Sequence, residues 1–164
     1  MKAMPKNPAR RIGELLRGSN QTLSAAESCT GGRISHLITK IPGASEYYLG
    51  SVTSYSPEIK KRLLGVAAAD IEKYGIVSSK VAEAMAEGVR KLTGSTWSVA
   101  TTGWADAYGD EHEPAGTCWI AVSGPQGTKS LKCSSGLTRT GNISAFSRVA
   151  LETLSVYIAE TIKH

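Results

Sequence analysis

Three short polar runs hold the side chains that could do chemistry. The first is Glu27-Ser28-Cys29-Thr30-Gly31-Gly32. Ser28 or Thr30 can serve there as a nucleophile, a phosphate ligand or a helix cap, and Cys29 as a thiol activated by a helix start. The run is not a P-loop, because GxxxxGK[ST] is absent and Arg33 follows the glycine pair; GxGxxG is absent too. The second run is Tyr55-Ser56-Pro57-Glu58-Ile59-Lys60. A nucleophilic serine needs a base, and His36, His112 and His164 form no Ser-His-Asp set. A desolvated lysine can take that role, since burial disfavours its charged form. Taken alone, Lys60 beside Lys61 and Arg62 reads as a surface lysine, the commoner state.

The third run is Thr101-Thr102-Gly103-Trp104-Ala105-Asp106, followed by Pro114-Ala115-Gly116-Thr117. Loops at strand ends are where α/β proteins bind ligands. Asp106, Asp110, Glu111 and Glu113 surround His112, but their spacing fits no calcium loop, so a solvated acidic loop is expected. Trp104 is either a core residue or a flat wall for a planar ring. Arg139 can meet a phosphate in bidentate fashion or be an ordinary surface arginine.

These runs must be held by helices and strands that the periodicity predicts. Helices are expected at Pro8–Arg17, Gly31–Thr39, Ser56–Gly65, Ala67–Tyr74, Ser79–Leu92 and Ile143–Ile162. Ser56 followed by Pro57 is an N-cap with proline at the first helical position. Strands are expected at Thr22–Ala26, Tyr47–Tyr55 with a bulge at Gly50, Trp97–Thr101 and Thr117–Val122. Gly-Pro-Gln-Gly at 124–127 turns the last of these into a hairpin with Lys129–Cys133. Helices and strands interleave, and the hairpin argues against a purely parallel sheet. The expected class is α/β, a three-layer α/β/α sandwich around a mixed β-sheet.

The whole chain has 164 residues, 41% of them apolar and 20% charged, which suits one domain with a sizeable core. Its net charge of +5 invites a nucleic-acid reading, but Lys2, Lys6, Arg10, Arg11 and Arg17 face only Glu14 before residue 20, so most of the excess sits there. The aromatic share is 6%, without basic–aromatic interleaving, which weighs against a single-strand platform. Cys29, Cys118 and Cys133 have no CxxC spacing, so no metal is expected. No apolar stretch is long enough for a membrane span, and no apolar leader core follows the basic start. A soluble cytoplasmic protein is expected, with a flexible basic stretch at 1–6 and a single domain at 7–164.

Ala26 to Gly32, Ile41-Pro42-Gly43-Ala44-Ser45, Gly50 to Ser56, Lys60, Leu64-Gly65-Val66, Tyr74 to Ser78, Met85-Ala86-Glu87-Gly88, Thr102-Gly103 and Gly116 to Trp119 stand in an order that resembles the C-terminal domain family of the competence/damage-inducible protein CinA. That family includes a stand-alone nicotinamide-nucleotide amidohydrolase, and the resemblance covers nearly the whole chain beyond its basic start. It implies an α/β/α sandwich that deamidates nicotinamide mononucleotide to nicotinate mononucleotide and ammonia, with no cofactor and no metal. The family's nucleophile falls on Ser28, and its tyrosine and lysine on Tyr55 and Lys60. Cys29, Thr30, Gly31, Thr102, Gly103 and Trp104 fall on the oxyanion and substrate walls, and Arg139 on the phosphate. Partners implied are a small-molecule nucleotide and a second copy in a homodimer.

On this resemblance Lys60, kept neutral by a low-dielectric pocket and a nearby positive group, would take the Ser28 proton, and Tyr55 would relay the proton or orient Lys60. Backbone N–H groups after Ser28 and near Gly103 would hold the oxyanion. The chain departs from the family at Trp104 to Glu111, where Ile-Ala-Gly-Pro and a glycine-rich loop are usual, and at Leu137-Thr138, where Gly-Asp is usual. The alternatives are a related amidase with an altered substrate and a nucleotide-binding domain of little turnover.

Overall fold

The computed structural model describes residues 6–163. The basic stretch expected to be flexible at 1–6 therefore lies, apart from Lys6, outside the described residues. The elements run α1 (Pro8–Leu16), β1 (Leu23–Glu27), α2 (Arg33–Thr39), a short 3-10 turn (Ala44–Glu46), β2 (Tyr48–Thr53), α3 (Pro57–Leu64), α4 (Ala68–Tyr74), α5 (Ser79–Thr93), β3 (Trp97–Gly103), β4 (Thr117–Gly124), β5 (Gly127–Ser134) and α6 (Arg139–Ile162).

The strands form one sheet in the order β2-β1-β3-β4-β5. β2, β1 and β3 are parallel to one another, β4 pairs antiparallel with β3, and β5 pairs antiparallel with β4. The sheet is mixed, with the expected hairpin at its β5 edge. Its period of two sends alternate residues to opposite layers. Ala25, Val99 and Ile120 meet Ile12, Ile34, Phe146 and Leu154 from α1, α2 and α6. Ala26, Ala100 and Ala121 meet Leu64, Val81, Met85 and Val89 from α3 and α5. Small alanines on this second face let α5 lie close to the strands, with α3 packed against α5.

Several boundaries differ from expectation for local reasons. The chain turns at Gly31 and Gly32 with φ of 61° and 95°, so α2 starts only at Arg33. Tyr47 leaves the strand and is buried in the larger core. The bulge near Gly50 is present: pairing jumps from Leu23–Tyr48 to Ser24–Gly50, leaving Leu49 as the extra residue. α6 begins four residues before Ile143, because the Thr138 hydroxyl caps it by accepting from the Gly141 N–H.

The placement of α3 matters most for the site. Ser56 caps it by accepting from the Ile59 N–H, Pro57 opens it and Gly65 closes it in the left-handed region. α3 lies against α5 at Gly88, where an added Cβ would stand only 2.7 Å from the Leu64 carbonyl carbon. This close approach holds Leu64 inward and, one turn earlier on the same face, Lys60.

Candidate active site

β1 ends on Glu27, which is fully buried and has three donors around its carboxylate. Oε1 accepts from Thr30 Oγ1 at 2.6 Å and the Ile34 N–H at 2.9 Å; Oε2 accepts from the Ser35 N–H at 3.0 Å. An acceptor with one negative charge thus satisfies two otherwise orphaned donors at the start of α2. Thr30 Oγ1 also lies 2.9 Å from Thr101 Oγ1 on β3. The loop carrying Ser28 is therefore tied to the strand before it, the helix after it and the neighbouring strand. Sequence reasoning did not single out Glu27; the signal was an acid at a strand end a few residues before a helix that lacks a side-chain cap of its own.

Ser28 opens onto a cavity of about 380 Å³, whose lining includes Lys60, Thr102, Trp104 and Arg139. Lys60 reaches the same spot from α3. Its Nζ lies 2.8 Å from Ser28 Oγ, 2.6 Å from the Ser54 carbonyl oxygen and 3.4 Å from that of Tyr55. Lys60 is not the surface lysine that its basic neighbours suggest: it is 0% exposed. Burial lowers its pKa from 10.5 to about 8, against a raising influence from Cys29. The positive neighbour expected to help is not among the causes; burial supplies the shift. A neutral lysine amine has two N–H donors and one lone pair. With the two carbonyls taking the donors, the lone pair is left for the Ser28 hydroxyl.

The other predicted residues fall into two groups. Cys29, Tyr55, Thr102, Gly103, Trp104 and Arg139 all line the Ser28 cavity. Thr30 and Gly31 shape the loop from beneath: Thr30 through Glu27, Gly31 by donating its N–H to the Ser28 carbonyl. Thr102 donates its hydroxyl to the Ile76 carbonyl, fixing the α4–α5 connection against β3. Gly103 answers first to packing, since a Cβ there would stand 2.7 Å from the Thr117 carbonyl oxygen. The Trp104 N–H donates to that same oxygen at 2.8 Å, so this donor near Gly103 is already committed. The N–H groups of Cys29 and Thr30 keep no acceptor among the described residues.

Tyr55 is placed differently from its expected role. It is 64% exposed, and its hydroxyl accepts from Arg139 Nη2 at 3.0 Å. Only its backbone carbonyl faces Lys60. Arg139, at the first position of α6, donates from Nη1 to Asp106 Oδ2 at 3.2 Å. Asp106 therefore points at the arginine, a long-range pairing that spacing could not reveal.

The acidic loop is divided among separate tasks. Asp110 accepts from the His112 and Glu113 N–H groups, and Glu113 accepts from Trp119 Nε1 and Lys132 Nζ. Among the described residues no His, Cys, Asp or Glu cluster could hold a metal ion. The cysteines are free, with Cys29 Sγ 3.7 Å from Cys118 Sγ. Among the described residues no helix is long and apolar enough to cross a membrane.

The comparisons with known proteins agree with one another. The family model described as the CinA C-terminal domain matches residues 6–158. The chain is 49% identical over 122 residues to a CinA-like protein of Acaryochloris marina, covering 74% of this chain and 29% of that protein. It is 42% identical over 145 residues to a CinA-like protein of Desulfosudis oleivorans, covering 87% of this chain and 35% of that one. The chain thus spans about a third of the length of these curated relatives. Among solved structures, competence/damage inducible protein CihA of Agrobacterium tumefaciens superposes with a TM-score of 0.88 at 30% identity, over 97% of this chain and 99% of its own. Competence damage-inducible protein A (ComA) of Klebsiella pneumoniae gives 0.89 at 27% identity, over 93% and 95%. Sequence, fold and the order of the motifs place this chain in the CinA C-terminal domain family.

Proposed function

We propose that the chain is an amidohydrolase that deamidates nicotinamide mononucleotide through a serine nucleophile and a lysine base. The observation that carries this reading is the 2.8 Å contact between Lys60 Nζ and Ser28 Oγ inside a ligand-sized cavity. The family resemblance supplies the substrate.

Neutral Lys60 takes the Ser28 hydroxyl proton as Oγ attacks the carboxamide carbon. The Cys29 and Thr30 N–H groups face the developing oxyanion, worth about 3 kcal/mol per well-placed donor. The tetrahedral adduct collapses by breaking the carbon–nitrogen bond. The Lys60 ammonium returns its proton to the leaving nitrogen, which departs as ammonia and leaves a nicotinoyl ester on Ser28. Lys60 then deprotonates a water that attacks the ester; as the ester C–O bond breaks, the Lys60 ammonium returns its proton to Ser28 Oγ, and the acid released ionises to the carboxylate, its proton passing to solvent. The electron-withdrawing pyridinium makes both carbonyls more electrophilic. Arg139 anchors the phosphate, and Tyr55 positions Arg139 instead of relaying a proton. The step needs no cofactor.

A related amidase with a different carboxamide is the second reading, favoured by the Asp106 carboxylate on Arg139. Incubation with nicotinamide mononucleotide tests the first reading: equimolar ammonia and nicotinate mononucleotide are expected. Binding of the nucleotide without ammonia release would leave a nucleotide-binding domain and overturn it.

A further inference from the structure

We infer that Asp106 is a specificity-determining residue, occupying on Arg139 the seat of a substrate phosphate and so opposing every phosphate-bearing ligand with its own carboxylate. This rests on the amidohydrolase reading and goes beyond it, because it assigns the discrimination between nucleotide and nucleoside to one side chain.

Both ends of the Arg139 fork are taken: Nη1 donates to Asp106 Oδ2 and Nη2 to Tyr55 Oη. A guanidinium binds phosphate well by offering two parallel N–H groups to it. That arrangement requires Asp106 to leave or to share the arginine with a second anion. Asp106 is also aimed. Its Oδ1 accepts from the Ala107 N–H at 2.8 Å, a local bond that turns Oδ2 toward Arg139. Asp106, Arg139 and Tyr55 line the cavity of Ser28, so the pairing belongs to the site. Lys60 is the other cation on that wall, and it is spent on Ser28 and the Ser54 and Tyr55 carbonyls. Asp106 thus offsets the one cation in the cavity lining, among the described residues, that is not spent on Ser28. Asp106→Asn keeps an oxygen for the Ala107 N–H, removes the charge and turns the acceptor that faces Arg139 into an amide N–H donor.

The test uses calorimetric titration in a Ser28→Ala background, which leaves the amide intact. Nicotinamide mononucleotide and nicotinamide riboside are titrated into Ser28→Ala and into Ser28→Ala with Asp106→Asn. The added substitution is expected to tighten the nucleotide by about three- to tenfold, the size of one partly exposed charge pair, while the nucleoside stays within about twofold. Asp106→Ala checks the result without the Ala107 bond and is expected to shift the nucleotide in the same direction. An unchanged or weakened nucleotide, or equal tightening of both ligands, overturns the role of Asp106 and leaves the amidohydrolase reading standing. Failure of Ser28→Ala to bind either ligand overturns both.

Discussion

Lys60 Nζ lies 2.8 Å from Ser28 Oγ although 32 positions separate the two residues, and the contact is buried. Two elements on different sides of the sheet's carboxyl end create it: the loop after β1, locked by Glu27, and α3, pressed inward against Gly88. The same burial that makes Lys60 costly to the fold makes it useful as a base.

The pH dependence of the reaction follows from that burial. In the proposed mechanism Lys60 accepts the proton only when neutral, and burial lowers its pKa to about 8. kcat/KM for nicotinamide mononucleotide is expected to rise about tenfold per pH unit below about 8 and to level off above it. A profile flat from pH 6 to 9 would exclude Lys60 as the titrating base. In Lys60→Met the rising limb should vanish with most of the activity.

Stability should rise with pH as activity does, but over a higher window. The folded pKa of Lys60 is depressed below its ordinary 10.5, so between about 8 and 10.5 the unfolded chain binds the extra proton. Stability contributed by this group therefore rises with pH through that window, and below about 8 the buried charge carries its full cost. The shift corresponds to roughly 3 kcal/mol at most, at about 1.36 kcal/mol per unit. Lys60→Met should unfold in urea at a higher midpoint than the native chain at pH 7, and the gap should narrow by pH 10.5. A variant less stable at pH 7 would show that the contacts with Ser28 and Ser54 outweigh desolvation.

Glu27 should matter to both fold and rate. Glu27→Ala leaves Thr30 Oγ1 and the Ile34 and Ser35 N–H groups without their acceptor. Loss of about 2–4 kcal/mol in urea unfolding is expected, since buried donors lose their partner. Ammonia release should fall as well, because the loop that aims Ser28 is no longer tied down. Unchanged stability would mean that water takes over the cap.

Much of the fold was legible because its signals are local. The Ser56-Pro57 start and Gly65 stop of α3, the glycine turn at 124–127 and the bulge at Gly50 each announce themselves within a few residues. Apolar periodicity alone starts α6 at Ile143, four residues late, because it does not reveal the Thr138 cap. The site was legible only in part. Only the family resemblance pairs Ser28 with Lys60, whereas Lys60-Lys61-Arg62 by itself looks like a solvated face. A signal was present: Lys60 stands four residues before the buried Leu64 and shares its helical face, while Arg62 points outward. The Arg139–Asp106–Tyr55 group depends on three distant elements converging, which no local pattern encodes.

The central claim is that Ser28 is the nucleophile activated by Lys60. Its most direct test compares ammonia release from nicotinamide mononucleotide by the native chain and by Ser28→Ala at pH 8.5, with folding checked by circular dichroism. Loss of the nucleophile is expected to slow release by about a thousandfold or more. A folded Ser28→Ala protein that releases ammonia within about tenfold of the native rate would contradict the account.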